Sequence, residues 1–170
     1  MKQLFSEGSI FNSAGSTSAG FSICRVTSEK EQFMPLLLLA DPSVDMVMRY
    51  LPQGELFALS VGQTAACIAV VQGLDGGDCE LKNLATREDL QSRGHASAMV
   101  RYLLQQYAKW GYKRMLVGTS DYGVGFYRKL GFSYSHTISG FFTQHYPEPI
   151  WENGAQCVDM VYLSISCTGL

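Results

Sequence analysis

A strand, a tight loop and a long amphipathic helix follow one another directly over residues 79–110, and no other stretch constrains the fold as strongly. Ala96, Met99, Val100, Leu103, Leu104, Tyr107 and Ala108 recur at steps of three and four, which predicts one helix from Arg93 to Trp110 with a single buried stripe. Gly111 stops it. Just ahead, Cys79 to Thr86 predicts a strand. A helix with one apolar stripe must cover that stripe against another layer, so helices lying on a sheet are expected.

The flanking segments extend this pattern. Phe21 to Val26 predicts a strand, and Ser28 with Glu31 forms a capping box for a helix running toward Leu39, kinked at Pro35. Asp41-Pro42 opens a second short helix through Tyr50. Leu56–Val61 and Thr64–Gln72 predict a hairpin about Gly62-Gln63. After the long helix, Lys113 to Thr119 returns as a strand, and Ser120-Asp121 caps a helix through Leu130 that Gly131 ends. Phe132 to His145 and Gln156 to Ser166 read as closing strands, with a loop over residues 146–154. The expected class is α/β (α+β), with a mixed but mostly antiparallel sheet. Residues 7–20 are rich in Ser and Gly, so residues 1–20 are expected to be a flexible extension and 21–170 a single domain.

Composition excludes several functions. A net charge of −2 argues against a nucleic-acid partner. No apolar run approaches the roughly 20 residues of a membrane span, so no membrane association is expected. Neither a secretory leader nor a zinc-ligand spacing is evident, and the five cysteines, at 24, 67, 79, 157 and 167, read as reduced thiols of a cytoplasmic protein.

The loop Gln91-Ser92-Arg93-Gly94-His95-Ala96 lies where strand gives way to helix. Backbone N–H groups at a helix start are unpaired and sit at the positive end of the dipole, so they suit a phosphate. Gly94 lets a pyrophosphate approach closely, and Arg93 can add charge. A loop with an incidental glycine is the plainer alternative. Neither the P-loop nor a three-glycine dinucleotide fingerprint is present, since Arg128 stands where the third glycine after Gly123 and Gly125 would fall. Nine of the thirteen Lys and Arg residues lie between Lys82 and Lys129, against three acids there, a local balance of +6 beside −8 elsewhere. That distribution suits a polyanionic carrier and a cationic substrate, or equally a coat of solvated helix surfaces.

Taken together, these residues resemble the GNAT superfamily of N-acetyltransferases. Gln91-x-x-Gly94-x-Ala96 matches the family's Q/R-x-x-G-x-G/A loop, and Phe126-Tyr127-Arg128-Lys129-Leu130-Gly131-Phe132 is similar to its F-Y-x-K-x-G-F segment. Ser120 and Gly123 depart from the Asn and Ala often found ahead of the F-Y pair, which puts in doubt a side-chain amide contact to the pantetheine arm.

The resemblance implies a GNAT-like sheet of about seven strands flanked by about four helices. It implies acetyl-CoA as co-substrate, no metal, and direct attack by an amine in a ternary complex. Leu84, Ala85 and Thr86 would hold the pantetheine arm through their backbone. Gln91, Ser92, Arg93, Gly94, His95 and Ala96 would hold the pyrophosphate, and a backbone N–H near Leu84 would stabilise the oxyanion. Glu80 is the candidate base and Tyr127 the candidate acid for the leaving thiolate, although an exposed strand carboxylate and a core aromatic would look the same in sequence. Cys79, next to Glu80, should face the opposite way. His95 reads as a loop side chain, while His145 borders the loop nearest the acceptor. The aromatic and acidic segment from Phe141 to Glu152 could receive an amine on an apolar body, pack on the sheet edge, or form a homodimer contact. The expected acceptor is a small-molecule primary amine. The alternatives are a protein or peptide amine, or a noncatalytic acyl-CoA sensor.

Overall fold

The computed structural model describes residues 11–16 and 20–168. Among these, eight strands form one sheet: β1 (Phe11–Ser16), β2 (Ser22–Val26), β3 (Glu55–Val61), β4 (Thr64–Gly73), β5 (Asp78–Thr86), β6 (Arg114–Thr119), β7 (Ser133–Ile138) and, last in the chain, β10 (Met160–Ser166). A separate two-stranded hairpin, β8 (Trp151–Glu152) and β9 (Ala155–Gln156), lies between β7 and β10. The main sheet runs β1-β2-β3-β4-β5-β6-β10-β7. All its neighbours are antiparallel except β5 and β6, which are parallel and joined by the long helix α3 (His95–Lys109). This is the right place for a helix, because parallel neighbours need a crossover.

The sheet is covered on both faces. On one, Met99, Val100, Leu103, Leu104 and Tyr107 of α3 and Tyr127 of α4 (Asp121–Lys129) pack with Phe57, Leu59, Cys67, Ala69, Cys79 and Leu81. On the other, Leu37 of α1 (Met34–Ala40) and Val47 and Tyr50 of α2 (Val44–Tyr50) pack with Leu56, Ala58, Ile68, Val70 and Ala85. Neighbouring residues of β3 and β4 thus serve alternate cores, as the two-residue strand period requires.

Several expectations are corrected. Residues 11–16 of the anticipated extension pair with β2 as a strand, while residues 1–10 and 17–19 lie outside the described residues. The capping box at Ser28 is absent; a 3-10 turn over Lys30–Phe33 follows Glu29 instead, and Pro35 sits in the first turn of α1, where its missing N–H breaks no bond and produces no kink. Ser43, not Asp41, caps α2, with its hydroxyl accepting from Met46 N at 3.3 Å. The strand expected over 132–145 stops at Ile138. There the N–H of Gly140 donates to the Asp159 carboxylate at 2.7 Å instead of to a strand neighbour, and α5 (Phe141–His145) begins.

Leu103 lies at the centre of the α3 stripe with no exposed surface. Leu103→Ala is expected to cost about 2–5 kcal/mol in urea denaturation, whereas Gln105→Ala on the exposed face of the same helix should stay within about 0.5 kcal/mol.

Candidate active site

β5 carries one residue more than its partner. Val71 pairs with Leu81 and Val70 with Asn83, so Lys82 is a bulge. The bulge exchanges the faces of the strand. Before it, Cys79 and Leu81 enter the α3 core; after it, Ala85 enters the α1/α2 core and Asn83 donates to the Leu37 carbonyl of α1 at 3.0 Å. On the opposite edge, pairing with β6 ends at Leu81↔Val117, although β5 continues to Thr86 and β6 to Thr119. The two parallel strands therefore separate at the bulge, and a cleft of ≈ 940 Å³ opens there.

Glu80, Leu84, Thr86, Gln91, Ser92, Gly94, His95, Ala96 and Tyr127 all line this cleft. Of the other residues singled out from the sequence, Ala85 turns its side chain into the α1/α2 core and has only backbone to offer. The Arg93 guanidinium donates to the Asp89 carbonyl at 3.3 Å and stands outside the lining. His145 also stays outside; its Nδ1–H donates to the Phe141 carbonyl at 2.9 Å and its ring stacks on Phe141. Cys79 is fully buried on the α3 side.

The loop before α3 has the form of an anion cradle. Ser92 and Gly94 are both left-handed, with φ of 60° and 83°, around Arg93, an alternation that turns successive N–H groups inward. No side chain caps α3, and a Cβ built on Gly94 would meet nothing within 4 Å. The helix start is thus open to a ligand, and its free N–H groups fit a pyrophosphate.

At the cleft floor, the Glu80 side chain is 12% exposed and makes an ion pair with Lys82 at 3.0 Å. It also accepts from Tyr162 Oη at 2.9 Å. Burial first, and then the adjacent Glu80 charge, push the Tyr162 phenol above its usual range, so it remains a donor. Tyr162 stacks on His136, with ring centres 4.6 Å apart, and lies across from Gly118 of β6. Tyr127 sits between Phe126 and Phe132, and burial pushes its hydroxyl upward as well.

Asp41, Tyr50, Tyr146 and Glu152 line the cleft as well. Asp41, 9% exposed, accepts from Tyr146 Oη at 3.0 Å and Tyr50 Oη at 3.3 Å. This joins the α1/α2 junction to the segment after α5. Glu152 of the β8/β9 hairpin accepts from the Ser120 hydroxyl at the start of α4. Among the described residues, no group of three or more His, Cys, Asp and Glu is placed to hold a metal, and no helix is long and apolar enough to cross a membrane.

Sequence reading missed Tyr162 and Asp41; Tyr146 and Glu152 belong to the singled-out segment from Phe141 to Glu152, of which Phe141, Phe142, Tyr146, Ile150, Trp151 and Glu152 line the cleft. One signal was available: a glycine inside a strand often marks a close approach, and Gly118 is where Tyr162 crosses β6.

The acetyltransferase (GNAT) family matches residues 27–132. An uncharacterized N-acetyltransferase YvbK of Bacillus subtilis (strain 168) is 35% identical over 136 residues, 78% of this chain and 88% of the relative. A GNAT family acetyltransferase from Elizabethkingia anophelis with acetyl-CoA bound superposes with a TM-score of 0.83 at 32% identity, over 88% of this chain and 99% of the other. A Bacillus subtilis acetyltransferase in complex with CoA gives 0.79 at 33%, over 85% and 97%. The chain belongs to the GNAT acetyltransferase family, enzymes that take their acetyl group from acetyl-CoA.

A Cβ on Gly118 would come within 2.6 Å of Met160 Sδ and 2.9 Å of Tyr162 Cζ. Gly118→Ala should therefore force Tyr162 away from Glu80 and cost about 1–3 kcal/mol by overpacking, read from the shift of the urea midpoint.

Proposed function

We propose that this enzyme transfers the acetyl group of acetyl-CoA to the primary amine of a small molecule, by direct attack while both substrates are bound. The observation that carries this reading is the side chain of Glu80, held by Tyr162 and Lys82 in the cleft where β5 and β6 part. The Tyr146–Asp41 bond ties two walls of the cleft together, and this supports a small acceptor over a peptide.

In this reading, backbone groups of Leu84 to Thr86 hold the pantetheine arm and the loop from Gln91 to Ala96 holds the pyrophosphate. The cradle's backbone N–H groups supply what Arg93, turned toward Asp89, does not. A backbone N–H near Leu84 stabilises negative charge on the carbonyl oxygen. Glu80 takes one proton from the ammonium of the acceptor, directly or through a water, and so frees the lone pair for attack. Its carboxylate already accepts from Tyr162 and Lys82, which fixes its position in the cleft. Relay through a water suits it better than direct contact. Tyr127 gives its proton to the departing thiolate. Its hydroxyl is held above the usual phenol range near ~10 by burial, so it keeps that proton through neutral and mildly alkaline pH.

Thiol release from acetyl-CoA, measured with a panel of alkylamines and peptides, tests the assignment. Glu80→Gln and Tyr127→Phe should each lower kcat by about 10²–10⁴-fold. The wild-type rate should show no fall from Tyr127 ionisation below pH ~10. A peptide turned over in preference to every small amine would overturn the acceptor assignment, and a Tyr127→Phe enzyme with normal rates at all pH values would remove Tyr127 as the acid. Acetyl-CoA binding without turnover of any acceptor would favour the sensor reading.

The cradle is tested separately. Gly94→Ala places a Cβ on a left-handed residue beside the phosphate position, and calorimetry should find CoA bound about tenfold more weakly, from roughly 1–2 kcal/mol of strain and obstruction.

A further inference from the structure

Besides Glu80 and Glu152, the cleft is lined by a third carboxylate that the chemistry above does not use. Asp41 lies at the α1/α2 junction, more than nine-tenths buried, and lines the same cleft as Glu80. Its three partners among the described residues are neutral donors: the Ser43 amide at 3.3 Å, Tyr50 Oη at 3.3 Å and Tyr146 Oη at 3.0 Å. The direction of these bonds is set by Asn83. Its Nδ2 must donate to the Leu37 carbonyl at 3.0 Å, which fixes the amide orientation, and it also donates to Tyr50 Oη at 2.9 Å. The single Tyr50 proton is then left for Asp41.

This arrangement has acceptor capacity to spare. An ionised carboxylate offers about four lone-pair positions, and three are taken. The Asn83 Oδ1 is buried with no donor among the described residues. No Lys, Arg or His makes an ion pair with Asp41 among the described residues; Lys82, whose charge reaches it through space, is engaged with Glu80. Burial pushes the Asp41 carboxyl up and its hydrogen bonds pull it back, so a donor-rich positive group arriving beside it would relieve the remaining cost of holding the charge. Leu38, Leu39, Met46 and Phe142 line the cleft as well and offer an apolar wall suited to a methylene chain.

We propose that Asp41 receives a second cationic group of the acceptor, so that the preferred substrate is a diamine-like molecule with one amine at Glu80 and a second ammonium, several carbons away, at Asp41. This inference rests on the amine acetyltransferase reading and narrows its substrate class. Asp41 acts here as a specificity residue: it touches the acceptor away from the reacting atoms.

The test compares acceptors of equal length whose far ends differ in charge. For wild-type enzyme, kcat/KM is measured with 1,4-diaminobutane, 1-aminobutane and 4-aminobutanoate, and with the corresponding five-carbon series. The diamine should exceed the monoamine by about tenfold or more, as expected for one charge-assisted hydrogen bond, and the amino acid should be poorest. In Asp41→Asn the ratio of diamine to monoamine should fall toward one. If Asp41→Asn does not fold, Asp41→Glu is used instead; its carboxylate reaches one methylene further and should move the optimum to a diamine one carbon shorter.

A flat wild-type series with measurable turnover overturns this inference and leaves the amine reading intact. A charge-ordered series that Asp41→Asn leaves unchanged, or an unchanged optimum in Asp41→Glu, also overturns it. If no amine releases thiol although acetyl-CoA binds, the amine reading itself fails and this inference falls with it.

Discussion

The bulge at Lys82 is the constraint on which the rest of this molecule depends. One additional residue in β5 exchanges the faces of the strand between Leu81 and Asn83, and the parallel pairing with β6 ends at the same point. Because β5 is anchored by β4 along its length, the opening can occur only on the β6 side. Bulges increase local twist and redirect side chains, and here both effects act together. Glu80 lies just before the bulge and reaches the cleft floor. Asn83 lies just after it and reaches the α1/α2 layer, where it organises Tyr50 and Asp41.

Two of the three carboxylates that line the cleft therefore have different surroundings. Glu80 has a cation, Lys82, and a phenol, Tyr162. Asp41 has hydroxyls and an amide, with no cation in contact among the described residues. A paired carboxylate is already compensated and suits a positioned role in proton movement. One held only by neutral donors retains its attraction for a positive ligand. The bond from Tyr146 to Asp41 joins residues 105 positions apart, so this part of the cleft depends on the segment after α5 being folded against the α1/α2 junction.

Much of the donor side was legible in sequence because its signals are local. The stripe from Met99 to Tyr107 declares α3 by spacing alone, and Gln91 to Ala96 combines a lean backbone with a helix start over six residues. Even so, Arg93 shows the limit. Its charge suggested a phosphate partner, but the Asp89 carbonyl, one turn away, captures the guanidinium. The strand expected over 132–145 failed for a similar reason: the residues favour extended structure until Asp159, distant in sequence, takes the Gly140 N–H. Pro35, expected to kink a helix capped at Ser28, sits in the first turn of α1, and α2 begins at Val44, two residues after Pro42.

What the sequence alone determined, then, was the order of strands and helices from β2 to β7 and the family resemblance. These follow from periodicity and from short motifs whose parts lie within one turn or strand of each other. Only the tertiary structure decided that Glu80 would be held by Tyr162, that Gly118 leaves room for that ring, and that Asp41 would meet Tyr146 across the cleft. Each of those contacts joins residues 40 or more positions apart in the sequence. The contacts of Glu80 and Gly118 with Tyr162 follow from sheet register and its bulges, and a one-residue change of register would turn the same side chains to the opposite face.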